Sequence, residues 1–155
     1  MRRLLLLGVG LLPLLVFGLV NDAVAGQTDG IKGEGGRPFH TTLSGANEVP
    51  AVGSDLTGTA QVTINLGQHE LCWDLDYTTT QHVIAAHIHH APAGQAAPVI
   101  FGFFNPPASA TPVNSGCREG DPALLRDIFF HPENYYVNVH TIAHPGGAGR
   151  GQLSK

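Results

Sequence analysis

The chain has 155 residues, 13% of them charged and 43% hydrophobic, with 20 Gly and 11 Pro. That length suits one ordinary domain, and a net charge of −4 without a Lys/Arg cluster excludes a phosphate-backbone binder, which needs a basic stripe. Low charge with adequate apolar content also excludes a chain that is disordered throughout.

The first segment reads as an address. Met1-Arg2-Arg3 is a positive start, Leu4 to Val20 is an apolar run broken by Gly8, Gly10, Pro13 and Gly18, and Ala23-Val24-Ala25 supplies a small-residue cleavage site. This order is that of a secretory signal peptide over 1–25. A membrane anchor is the rival reading, because the run is nearly long enough to span; the internal Gly and Pro and the cleavage motif argue against it. No Cys follows the run, so a lipid anchor is not indicated. The expected product is secreted or periplasmic, with no stable membrane anchor after cleavage.

Gly-rich, polar residues 26–38 predict a flexible tail, and the domain is expected over 39–155. From Thr57 to Leu66, Ala60, Val62, Ile64 and Leu66 alternate with Thr59, Gln61, Thr63 and Asn65, the period of a half-buried strand. Gly67-Gln68-His69 is a turn, and Leu71, Trp73, Leu75 and Tyr77 form the second alternating set of a hairpin. Val83 to His90 and Pro98 to Phe104 follow as strands, then a loop over Asn105 to Gly120. Asp121-Pro122 caps and starts a short helix through Phe130, because Pro suits the first helical position, and Pro132 stops it. Tyr135 to Thr141 and Gly149 to Leu153 are the last strands. Many short strands with one helix predict an all-β, antiparallel Greek-key sandwich or barrel.

Cys72 and Cys117 are the only cysteines. An oxidising compartment favours a disulfide between them; a metal-thiolate role is the alternative, without a third Cys or a C-x-x-C to support it.

Histidine is the compositional outlier, with nine residues against eight Lys and Arg together. In Ala86-His87-Ile88-His89-His90, strand geometry puts His87 and His89 on one face, their α-carbons about 6.5–7 Å apart, with Ile84, Ala86 and Ile88 on the opposite, core face. His140 likewise faces away from Val137 and Val139. Two strands that each build core on one side and present imidazoles on the other predict a transition-metal site, since neutral imidazole suits Cu, Zn, Ni or Fe(II). His90, His131 and His144 are candidates for a fourth ligand, and Asn138 and Thr141 for partners that orient the rings. The bland alternative is a chance pair in a His-rich chain. His40 and His69 read as surface residues, and His82 as a ligand or polar punctuation. Asp74 and Asp76 read as a solvated face. Ser is scarce and no Gly-x-Ser-x-Gly occurs, which leaves nucleophilic hydrolysis without support. Glu48, in Asn47-Glu48-Val49-Pro50, reads as part of a strand stop, capping a turn or pairing with Arg150.

Five stretches in order resemble the CHRD domain, the module named after chordin. They are Phe39 with Leu43-Ser44-Gly45-Ala46-Asn47-Glu48-Val49-Pro50, Thr57-Gly58-Thr59-Ala60, Ala86-His87-Ile88-His89, Tyr136-Val137-Asn138-Val139-His140-Thr141, and Pro145-Gly146-Gly147 through Leu153. The resemblance implies an immunoglobulin-like sandwich. A second similarity, to copper/zinc superoxide dismutase, lies in the order His-x-His, a later His, a Gly-rich turn and Arg. Carried over by motif it implies copper ligands at His87, His89 and His140 and an anion-guiding Arg150, without a recognisable bridging His or zinc loop. Three functions follow as expectations: an exported metal binder with copper as cofactor ahead of zinc, a non-catalytic extracellular interaction module, and a copper-dependent dismutase-like enzyme.

Overall fold

The computed structural model describes residues 35–105 and 112–155. Eight strands, β1 (Arg37–Ser44), β2 (Thr57–Asn65), β3 (Glu70–Thr78), β4 (Val83–His90), β5 (Val99–Phe104), β6 (Ser115–Glu119), β7 (Tyr135–Thr141) and β8 (Gly149–Gln152), accompany one helix, α1 (Pro122–Phe130). All pairings are antiparallel, in one continuous sheet of order β5-β4-β7-β8-β1-β2-β3-β6. The sheet rolls into a nearly closed barrel. Its two end strands meet where Arg118 of β6 donates to Gly102 O of β5 at 2.9 Å, above Trp73 and Phe103 stacked at 5.1 Å. Of the two arrangements left open by the sequence, the barrel is the one adopted.

Alternation drives the assembly. Ala60, Val62 and Ile64 of β2 and Leu71, Trp73 and Leu75 of β3 point into the barrel, as their period requires. The turn between them is held by Asn65 Oδ1, which accepts from the backbone N–H of Gly67 and Gln68. Asp121 caps α1 by accepting from Leu124 N, and Pro122 occupies its first turn. Leu125 and Ile128 turn one face of the helix into the core.

Four local differences from the sequence reading have clear causes. Ser115–Glu119 is a strand, although it lies in a stretch expected as loop; Cys117 is the register partner of Cys72, and their disulfide fastens β6 to β3. Ile84 is left out of the core and Val83 enters it, because a register shift between Val83 and Ala85 breaks the alternation. Arg37 and Pro38, assigned to the tail, pair with Ile64 and Thr63 in β1, and the Arg37 guanidinium lies over Phe39 and Phe129. Pro98 stays outside β5. The signal-peptide assignment, and the tail as far as residue 34, fall outside the described residues.

In β8, Gly149 and Gly151 face inward where the wall is closest. A Cβ on Gly149 would lie 2.2 Å from Leu56 Cδ2, and one on Gly151 2.2 Å from Thr41 Oγ1. Only glycine permits this approach, and Arg150 between them faces outward.

The disulfide closes a loop with a sequence separation of 45. On chain entropy that closure contributes about 4 kcal/mol. Replacing both cysteines by alanine is expected to lower the thermal midpoint while leaving the far-UV CD spectrum unchanged. An unchanged midpoint would show that the barrel does not depend on the bridge.

Candidate metal centre

The buried polar and charged side chains of the described residues are Glu48, His89, Asn138, His140, Thr141 and Arg150. All come from β4, β7, β8 and the turn after β1. Register explains the grouping. Ile88 of β4 pairs with Val137 of β7 on the core side, so the flanking pairs His87–Asn138 and His89–Tyr136 project from the barrel's outer face. Arg150 of β8 pairs with Asn138, and Gln152 with Tyr136, extending both rows. Loops 91–98 and 142–148 bond to these rows, which is how polar side chains on the outside of a barrel come to be buried.

Within this layer His87, His89 and His140 converge, with one ring nitrogen from each lying within 4.8 Å of the others. Loop carbonyls fix two of the rings. His89 Nδ1 donates to Ala97 O at 2.8 Å and His140 Nδ1 to Pro145 O at 3.0 Å. Carbonyls only accept, so both Nδ1 atoms carry the proton and both Nε2 atoms present lone pairs. His140 Nε2 accepts a hydrogen bond from His87 Nδ1 at 3.2 Å, a separation close to the ~3.3 Å between two nitrogens bound tetrahedrally to one ion with bonds of about 2 Å. His89 Nε2 is buried without any hydrogen-bond partner, an acceptor whose desolvation nothing in the layer offsets.

Burial pushes the His87 imidazole down to about 4, with His140 and His89 adding to the effect. Burial likewise lowers His89 and His140, against the carbonyl hydrogen bonds that favour their charged forms. The three rings are therefore neutral at pH 7, the state a metal requires of a histidine ligand. A set of three neutral imidazoles, two of them fixed by loop carbonyls and one of those two, His89, with an orphaned lone pair, fits a borderline transition ion such as copper or zinc.

The other sequence-derived candidates stand apart from this cluster. His90 stacks on Tyr135 at 4.6 Å, on the side away from His87 and His89. His131 is exposed at the end of α1, 3.8 Å from Glu133. His144 lies in the loop after β7 and contributes backbone, not its ring, to the layer. His40, His69 and His82 are exposed, as are Asp74 and Asp76. Among the described residues, the other group of three ligand-type side chains is Glu70, Cys72 and Cys117, whose sulfurs are joined in the disulfide.

Sequence reading missed the orienting partners. Asn138 and Thr141 were the candidates, yet the rings are held by the carbonyls of Ala97 and Pro145, which no side-chain pattern reveals. Thr141 Oγ1 instead accepts from His144 N, and Asn138 Nδ2 donates to Glu48 Oε2 at 3.2 Å. Glu48 follows the strand end and caps the short Gly45–Asn47 turn, as expected, its backbone N–H donating to Gly45 O at 3.2 Å, but among the described residues its carboxyl forms no ion pair. Its carboxyl is buried beneath Gly147, where φ is +141° and a Cβ would lie 2.6 Å from Oε2. Burial raises it to about 7, opposed by the Asn138 hydrogen bond and the Arg150 charge.

An antiparallel barrel with a loop-covered polar layer on one outer sector defines the class of molecule. The sequence pattern of the CHRD domain matches residues 39–153, and the chain belongs to that family. In comparisons with curated proteins and with solved structures, nothing matches the chain.

The pH dependence of stability has a definite sign. A histidine lowered in the folded state stabilises it fully above its unfolded value of about 6.5, and that contribution is lost as pH falls. The metal-free protein is thus expected to lose thermal stability between pH 7 and pH 4, with a shallower loss in His87→Gln. Glu48, raised to about 7, works in the opposite sense, its contribution fading as pH rises through that value. Glu48→Gln should therefore stabilise at pH 8 relative to wild type and make little difference at pH 5. Equal slopes of midpoint against pH in all three proteins would contradict both assignments.

Proposed function

We propose that this CHRD-domain protein is an exported metal binder that holds copper through His87, His89 and His140, acting in copper storage, delivery or protection. The observation that carries this reading is the unpartnered, buried His89 Nε2 beside the facing pair His87 Nδ1 and His140 Nε2. A bound copper ion would supply Lewis acidity and one-electron redox capacity at that point. The chain's own residues bind it and shield it. Two of the three rings are buried, and the bonds of His89 and His140 to the loop carbonyls keep them aimed without further reorganisation. Shielding of this kind suits retention or transfer of the ion better than turnover of a diffusing substrate. Export is supported by the disulfide, which persists in oxidising compartments. No helix among the described residues is long and apolar enough to cross a membrane.

Family membership by itself favours a second reading, an extracellular interaction module in which the histidines form a polar seam. A seam of that kind satisfies every buried acceptor, which this layer does not.

Titration of the purified mature chain with Cu(II) and Cu(I) separates the two. The metal reading expects one equivalent bound tightly by wild type and lost in His87→Ala/His89→Ala, with affinity falling as pH drops because protons compete for the lone pairs. Equal weak binding by both proteins would sink it in favour of the interaction module.

A further inference from the structure

Arg150 is 3% exposed, and it spends its hydrogen bonds on the protein itself. Nη1 donates to Gln95 O at 2.6 Å; Nη2 donates to Pro92 O at 3.3 Å and reaches Gln152 Oε1 at 3.5 Å. Its Cζ lies 3.4 Å from the centroid of the Tyr136 ring. No carboxylate among the described residues comes within salt-bridge distance of it. An arginine that steers anions keeps its N–H groups toward solvent; this one is committed inward.

What it holds leads to the metal cluster by two routes. Tyr136 stacks on His89 with ring centroids 4.7 Å apart and planes 2° from parallel. The backbone carbonyls bound by Arg150 belong to the same turn as Ala97, whose N–H donates to the Tyr136 hydroxyl at 3.2 Å and whose carbonyl accepts from His89 Nδ1. Both contacts that set the plane and tautomer of His89 therefore run through groups that Arg150 fastens. Neither His87 nor His140 has a contact of this kind with Arg150; His140 takes its orientation from Pro145 O on a different loop.

We propose that Arg150 is a positioning residue: its guanidinium, laid on Tyr136 and tied to the 92–97 turn, holds the His89 ring so that Nε2 faces the metal position. The inference rests on the metal-binding reading above for its purpose, and on the geometry of the metal-free protein for its content. A planar fork is essential to it. Lysine keeps the charge but can neither lie flat on Tyr136 nor bridge two carbonyls.

The experiment reads the imidazole nitrogens by 15N NMR in metal-free wild type, Arg150→Lys and Tyr136→Leu, then measures Cu(II) affinity and the EPR spectrum of each. In wild type, the Nδ1–H signals of His89 and His140 should both be protected from exchange. Each variant should lose the His89 signal while keeping that of His140, and should bind Cu(II) about 10- to 100-fold more weakly with an altered EPR spectrum, the range for removing an orienting partner. Using two variants keeps the test open if one fails to fold. A wild-type His89 signal in Arg150→Lys overturns the proposal, as does simultaneous loss of the His89 and His140 signals, which means general loosening. If wild type binds no copper and the His89 signal still depends on Arg150, the positioning role stands and the metal reading falls.

Discussion

The pairing of β4 with β7 is the constraint on which the rest of this structure depends. Setting Ile88 opposite Val137 commits one side of both strands to the apolar interior. By the two-residue period of a strand, the same register commits His87, His89, Tyr136, Asn138 and His140 to the other side. A slip of one residue would drive the imidazoles into the core and the valines outward, so hydrophobic burial itself selects the arrangement that brings the three histidines together. The chemistry of the site is thus fixed by the energetics of the barrel.

An outer face dense in polar groups has no reason to be buried unless something covers it, and covering it is costly unless each group finds a partner. Backbone supplies most of the partners. The 91–98 loop gives carbonyls to His89, Arg150 and Gln152, and the 142–148 loop gives one to His140. A buried guanidinium would cost several kcal/mol if left unpaired; here it fastens the loop that covers it. Three atoms remain without partners: His89 Nε2, Glu48 Oε1 and Asn138 Oδ1. Among the described residues these are the buried side-chain nitrogen and oxygen atoms without a partner, and all three lie in this sector.

Other contacts hold the wall of the barrel together. Arg118 reaches across the seam between β6 and β5, the Cys72–Cys117 bridge ties β6 to β3, and α1 inserts Leu125 and Ile128 into the core. The paired strands β4, β7 and β8 form the platform of the histidine sector, and strands hold side chains more firmly than loops do. Arg150 exploits that platform from β8, between two glycines that let its strand approach Leu56 and Thr41.

The sequence by itself determined the all-β class, most strand positions, the capped helix and the faces of His87, His89 and His140. Each of these follows from local periodicity or from one residue's conformational preference. It also carried the pairing of the two cysteines, through their number and the inferred compartment. Tertiary structure alone decided that one sheet rolls into a barrel, that Ser115–Glu119 joins it, and that His90, His131 and His144 stand outside the cluster. It alone placed Arg150 under a loop instead of in solvent, tucked Glu48 beneath Gly147, and oriented His89 and His140 with carbonyls. Those outcomes rest on backbone groups and on contacts between segments far apart in the chain. A carbonyl is the same at every residue, so its use as a partner leaves no trace in the sequence until the fold brings it to a ring.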